Sequence, residues 1–172
     1  MLNNAQAELL LRIPKHVVIE DQRREKITIK QPVIWRQRFF LVGDIDNETF
    51  EFLWEIWQSS KNTLRMSLHF QEDDLKIGIF RVDFWSGHRN PPTITEKVPD
   101  KFHPYIGKHF LSHEHHVHYH VEGYPPLAWA VPITDDDFSY KEITEQNSPD
   151  IVKEFARTIN LQTKLTINRR II

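Results

Sequence analysis

Between Trp35 and Gln58 the chain carries two apolar–polar alternations separated by Gly43-Asp44-Ile45-Asp46-Asn47. The spacer is turn chemistry, and period-two alternation on both sides of a turn predicts an antiparallel hairpin. Phe50, Phe52, Trp54 and Ile56 share one face of the second run, and Leu53 and Trp57 fall on the other. Residues 48–58 also fit a helix, because Phe50, Leu53, Trp54 and Trp57 recur at helical spacing. The density of aromatic residues directly after a turn favours the strand. Leu64 to Phe70 and Leu75 to Phe84 repeat the pattern around Gln71-Glu72-Asp73-Asp74, and Lys26 to Lys30 alternates upstream. Residues 26–84 therefore read as an antiparallel meander of about five strands.

The flanks supply helices. Asn4 can cap a helix over residues 4–13, with Ala5, Leu9 and Ile13 on one face and Pro14 as its stop. Ser148-Pro149-Asp150 combines a cap, a proline for the first turn and an acid, and Ile151, Val152, Phe155, Ala156 and Ile159 follow as one apolar face. Lys15 to Glu20 holds Val17-Val18-Ile19, which suits a strand or a buried connection. Residues 113–120 and 127–133 read as two further strands, and the tail from Leu161 to Ile172 as a strand or a loose extension. The expected class is α+β in a single domain over 1–172. It is an antiparallel β-meander sheet of about six to seven strands, a C-terminal helix packed on one face and a short N-terminal helix. Gly87, Pro91, Pro92, Pro99, Pro104 and Gly107 break the pattern from Trp85 to His109, and loops this long in a compact domain are usually functional or mobile.

Composition excludes several classes. The 172 residues contain no cysteine, so disulfides and thiolate metal sites are ruled out. The formal net charge of −2 is no general nucleic-acid footprint, although ten histidines would turn the balance positive near pH 6. Local basic clusters at Arg23-Arg24-Lys26, at Arg36 and Arg38, and at Arg169-Arg170 are either solvated faces or phosphate contacts. No apolar run approaches the ~18 residues that span a bilayer. The opening Met1-Leu2-Asn3-Asn4 lacks the basic and apolar regions of a signal peptide, so a cytoplasmic protein without a membrane partner is expected.

Chemistry concentrates in His113-Glu114-His115-His116-Val117-His118-Tyr119-His120. As a strand it turns Val117, Tyr119 and Val121 one way and His116, His118 and His120 the other. Residues two apart on such a face lie about 6.5 Å apart, so neighbouring imidazoles can serve one phosphate or one ion. The histidine face is then a solvated surface, a metal site or an acid–base pair. In the metal case His116, His118 and His120 are candidate ligands for a divalent zinc or iron ion. The acid–base case needs no cofactor. One imidazole takes the 2′-hydroxyl proton of RNA, another returns a proton, and arginine stabilises the charged phosphorus centre. Arg81-Val82-Asp83 continues the face of Ile77 and Ile79, either as an ion pair or as an anion-binding Arg81 with Asp83 orienting an imidazole. Gly87-His88-Arg89-Asn90-Pro91 follows a strand end, where sites are often built, or is a turn whose Asn90 satisfies local backbone.

These motifs together resemble a bacterial family with no assigned function. The shared pattern runs through Arg81-Val82-Asp83, Gly87-His88-Arg89-Asn90-Pro91, His116-Val117-His118, Glu122-Gly123-Tyr124 and Trp129-Ala130, and extends to the segment Ala7 to Lys15. The chain departs from it at His115, where proline is usual, at His120, where tyrosine is usual, and in the longer stretch from Pro92 to His113. The resemblance favours Arg81, Asp83, His88, Asn90, His116 and His118 over the remaining histidines. The family pattern is in turn distantly similar to TumE-like toxins of toxin–antitoxin pairs. That likeness implies a small RNA-cleaving toxin held inactive by a protein antitoxin or inhibitor.

The leading expectation is a nuclease acting on RNA, with His116, His118 and His88 in acid–base roles, and Arg81 and Asp83 completing the catalytic group. Arg89, Asn90 and Tyr124 are expected at the substrate. The alternatives are a metal enzyme using the same histidines, and a non-catalytic binding or inhibitory module. The last would use Trp35, Trp54, Trp57, Trp85 and Tyr124 as interface anchors.

Overall fold

The structure, a computed structural model, describes residues 1–31 and 35–169. In chain order it contains α1 (Asn4–Arg12), β1 (His16–Ile19), β2 (Gln22–Arg23), β3 (Lys26–Gln31), β4 (Trp35–Ile45), β5 (Glu48–Gln58), β6 (Met66–Glu72) and β7 (Ile77–Phe84). Then come β8 (His88–Arg89), a 3-10 turn over Asp100–Tyr105, β9 (His109–Phe110), β10 (His116–Tyr119), β11 (Trp129–Pro132), α2 (Ser148–Thr158) and β12 (Lys164–Arg169). The class is α+β, and among the described residues the main sheet has eight strands, ordered β11-β10-β7-β6-β5-β4-β1-β2. No helix among the described residues is long and apolar enough to cross a membrane.

Residues 48–58 are strand, as their aromatic content predicts. β4 runs on to Ile45, which pairs with Glu48, and only Asp46 and Asn47 turn the chain. Both have left-handed φ, 49° and 67°, the geometry that matches the twist of a two-residue hairpin. Cross-strand register then stacks one aromatic row across six strands: Phe39, Trp54, Phe70, Phe80, Tyr119 and Trp129. This face is the core. Phe155 of α2 lies on Phe80 at 5.3 Å and on Trp54 at 6.2 Å between ring centroids. Five buried aromatics and the half-buried Tyr119 stand in register; rings that bury some 150–250 Å² each explain why α2 needs little more than its apolar stripe to dock.

Several expectations are corrected. The sheet exceeds the expected six to seven strands because β1 and the two-residue β2 extend one edge. β3 is not part of the meander; it pairs in parallel with β12, Ile27 beside Leu165 and Ile29 beside Ile167. A parallel partner so distant in the chain leaves no local sequence signal. The α1 cap is Asn3, not Asn4: its side chain accepts from the Gln6 amide at 2.8 Å while Gln6 Oε1 accepts from Asn3 N at 2.9 Å, a reciprocal capping box. The histidine strand is four residues long, since residues 112–114 are turn and bend. Arg170 and the end of the tail lie outside the described residues.

The stretch from Trp85 to Phe110 wraps the β11 edge. Asn90 does this work. Its Nδ2 donates to Ala130 O at 2.8 Å and to Tyr105 O at 3.0 Å, while its Oδ1 accepts from Ala130 N at 2.9 Å. One side-chain amide thus satisfies both outward backbone groups of an edge residue, which would otherwise be a free pairing template. β8 and β9 are thereby held over the outer face of the sheet, opposite the helices.

Candidate functional site

Directly opposed residues on antiparallel strands share a face, so register alone assembles the site. One outer row reads Arg36, Trp57, Ser67, Asp83, His116 and Pro132; the next reads Arg38, Glu55, His69, Arg81, His118 and Ala130. Arg81, Asp83, His116 and His118 therefore occupy four adjacent corners of β7 and β10. His88 arrives from the cover, its ring 4.5 Å from that of His118 and 5.7 Å from that of His116. Phe110 of β9 lies 4.8 Å from the His116 ring. His116 and His118 are both 0% exposed, so the histidine face is neither open cleft nor solvated surface: the cover seals it.

The proton positions follow from the partners. His118 Nδ1 is 2.8 Å from Leu127 O, and His116 Nδ1 is 2.8 Å from Glu114 O. A carbonyl oxygen only accepts, so both Nδ1 atoms carry hydrogen and both imidazoles turn bare Nε2 atoms inward. His118 Nε2 sits 3.1 Å from Asp83 Oδ2, and His116 Nε2 sits 3.7 Å from the same oxygen. His116 Nε2 is buried without a hydrogen-bond partner. In His88 the opposite tautomer is fixed: Nε2 faces two acceptors, Ala128 O at 3.0 Å and Asn90 Oδ1 at 3.1 Å, which leaves Nδ1 bare.

Two acceptors 3.1 Å apart, Nε2 of His118 and Oδ2 of Asp83, repel unless something positive lies between them. Arg81 supplies it. Its Nη2 donates to His118 Nε2 at 3.0 Å and its Nε lies 2.9 Å from Asp83 Oδ2. Ser67 Oγ donates to Asp83 Oδ1 at 2.6 Å. Burial pushes the Asp83 carboxyl up, but the His118 contact, the Arg81 charge and the Ser67 hydroxyl together hold it well below the usual carboxylate range. Burial pulls His118 down to about 4 against the pull of Asp83, and lowers His116 and His88 as well. The resting centre is therefore one carboxylate, neutral imidazoles and one guanidinium.

Asp83 Oδ2, His116 Nε2 and His118 Nε2 all lie within 4.8 Å of one another. Ligand atoms at ~2.05 Å from a tetrahedral ion are ~3.3 Å apart, close to the 3.1 and 3.7 Å found here. The set is two imidazoles and one carboxylate, each imidazole fixed through its other nitrogen by a backbone carbonyl. That outer bond is the usual support of a metal-binding histidine. The donors fit a divalent first-row ion, and Arg81 occupies the same hollow, so ion and guanidinium exclude each other there.

His120 does not join the other two. β10 ends at Tyr119, the alternation fails, and His120 Nε2 pairs with Leu2 O at 2.8 Å on the α1 side. Arg89 is exposed and points away from the cluster, since β8 turns His88 and Asn90 inward and Arg89 out. All polar atoms of Asn90 are used in holding the cover. Tyr124 donates to Thr93 O at 3.0 Å and packs against Trp129, away from the imidazoles. Trp54, expected as an interface anchor, is 0% exposed. Sequence reasoning missed Ser67 and His69; their alternation with Met66, Leu68 and Phe70 was the available signal.

The chain belongs to a family of unknown function, DUF6978, whose profile matches residues 2–161. No curated protein and no solved structure matches it.

Proposed function

We propose that this member of DUF6978 is a divalent-metal enzyme whose ion is held by Asp83, His116 and His118 and whose substrate is an anionic ester. One observation carries the reading: two imidazoles, each locked through Nδ1 by a backbone carbonyl, aim bare Nε2 atoms at one buried carboxylate. Asp83, His116 and His118 would hold the ion, and an ion held by three protein ligands would supply an activated water near neutral pH. Arg81 is the one cation that touches the centre among the described residues. Displaced from the hollow, its fork suits an anionic oxygen. Hydrolysis in this frame adds water across the ester bond and releases an alcohol and an acid.

The test is cobalt titration of untagged apo-protein followed by visible absorption. Wild type is expected to give a one-to-one end point with d–d bands. Asp83→Asn and His116→Ala are expected to bind at least tenfold more weakly while keeping the wild-type circular dichroism. Wild-type protein that stays colourless with excess cobalt removes the proposal.

A second reading is favoured by Arg81 itself, which already donates to His118 Nε2 and balances the charge of Asp83. In it the centre works without metal as a histidine-based ribonuclease, in line with the likeness of the motifs to TumE-like toxins. Induced expression in bacteria of wild type beside His118→Ala, with total RNA followed, distinguishes it. RNA loss that wild type causes, the variant does not, and purified protein reproduces in chelator selects this second reading.

A further inference from the structure

The outer face of the sheet has two halves. The cover of β8 and β9 seals His116 and His118 of β10, whereas on the same rows Arg36 and Arg38 of β4 are exposed and Glu55, Trp57, Ser67 and His69 of β5 and β6 are half-buried. The open half is not an ordinary solvated face. Arg36, Arg38 and Arg81 lie on its two rows, Arg65 stands over the Trp57 ring with its guanidinium carbon 5.5 Å from the centroid, and Phe40 is 57% exposed on the neighbouring row. The Arg36 and Arg38 side chains are 53% and 51% exposed, and both pair with the single carboxylate of Glu55.

We propose that this open half binds single-stranded RNA and leads it to Arg81 at the rim of the buried centre. Charge favours this. The two rows with Arg65 hold four arginines against Glu55 and Asp83, in a chain whose formal net charge is −2. Geometry favours it too. A sheet face that presents aromatic rings and arginine planes at ~4.8 Å strand spacing offers bases a stacking surface and phosphates a row of forks. Glu55, oriented by two arginines, and the half-buried imidazole of His69 between Glu55 and Arg81 are hydrogen-bonding groups of the kind that read a ribose 2′-hydroxyl. Arg81, 30% exposed at its side chain, is the residue shared by the open half and the sealed half. The inference names the substrate of the centre but rests on different residues, so it is measured with metal removed.

The experiment is fluorescence anisotropy with a labelled 12-nucleotide oligouridine in EDTA, at several salt concentrations. Wild type is expected to bind with strong salt dependence. Arg36→Ala/Arg38→Ala should bind about tenfold or more weakly, with the log–log salt slope reduced by about 1.4 for two lost phosphate contacts. Trp57→Ala should lose about tenfold with its slope unchanged, Trp57→Phe should retain binding, and Arg12→Ala on the helix side should match wild type. Circular dichroism of each variant confirms its fold. Absence of wild-type binding at low salt, or sheet-face variants equal to Arg12→Ala, overturns the proposal. Equal binding of the DNA oligomer of the same length overturns RNA as the occupant. Because no metal is present, none of these outcomes bears on the cobalt titration.

Discussion

Two cations define the molecule at the scale of single residues. Arg81 is the internal counter-ion of the centre. Removing it with Arg81→Met leaves Nε2 of His118 and Oδ2 of Asp83 facing each other bare. The apo-protein should lose about 1–3 kcal/mol of stability, allowing for the exposure of the guanidinium. The emptied hollow should take cobalt more tightly than wild type, and the rise in Tm on adding cobalt should be larger in the variant. Equal rises in both proteins would show that guanidinium and ion do not compete. Lys15 is the second cation, 0% exposed. Its Nζ donates to Leu11 O at 3.0 Å and to Ile13 O and Ile159 O at 2.8 Å, and lies 5.1 and 5.0 Å from the Phe52 and Phe70 ring centroids. It thereby ties the C-terminal ends of both helices to the core. Burial pulls this ammonium down to about 7. A cation whose folded value is depressed binds fewer protons in the folded state between about pH 7 and its ordinary value near 10.5. Stability from this group therefore rises with pH through that window. The stability gap between wild type and Lys15→Met, from urea unfolding, should widen by on the order of 2–3 kcal/mol from pH 6.5 to 9. A gap that does not change with pH would mean that the three carbonyls keep the ammonium charged throughout.

Among the elements, the cover matters most. β8 and β9 are two residues each and pair only with one another, far too little to hold themselves in place. The bonds of Asn90 and the packing of His88 and Phe110 over the imidazoles fix them instead. Asn90→Ala strips partners from Ala130 N, Ala130 O and Tyr105 O and one partner from His88. It is expected to cost about 2 kcal/mol or more. Its signature should be local: the Ala130 amide should lose hydrogen-exchange protection ahead of the amides of β5 and β6. An Ala130 amide as protected as those of the central strands would show that the cover stands without this clamp. The same bonds explain why a stretch with so many proline and glycine residues ends up ordered over a site: Asn90 ties it to the free edge of β11 at Ala130 and to its own far side at Tyr105.

Across the whole molecule the sheet divides labour between its faces. The helix side carries the aromatic row and α2; the outer side carries the centre and the arginines. A large cavity on the helix side should therefore lower stability without altering the site. Phe155→Ala is expected to cost about 3–5 kcal/mol, while its cobalt spectrum below the melting transition should match wild type. A changed spectrum would show that the two faces are coupled through β7 and β10.

Strand alternation from Trp35 to Phe84 and the helix at Ser148 are legible in the chain, because each depends on neighbours within one element; Arg81, Asp83, His88, Asn90, His116 and His118 stand out only through the motif resemblance, and they come from several elements. Alternation told which residues share a face of one strand. It did not tell which strand lies alongside, so Ser67 and His69 stayed unremarked and β3 was placed in the wrong sheet. Nor did it tell whether a polar face meets water: the His116–His118 face looked open, and only the cover pinned by Asn90 buried it. Local periodicity is a property of the backbone and is written residue by residue. Pairing, register between distant strands and burial are sums over contacts that exist only after the chain has closed, and those sums decided that two buried histidines, a buried aspartate and an arginine share one hollow.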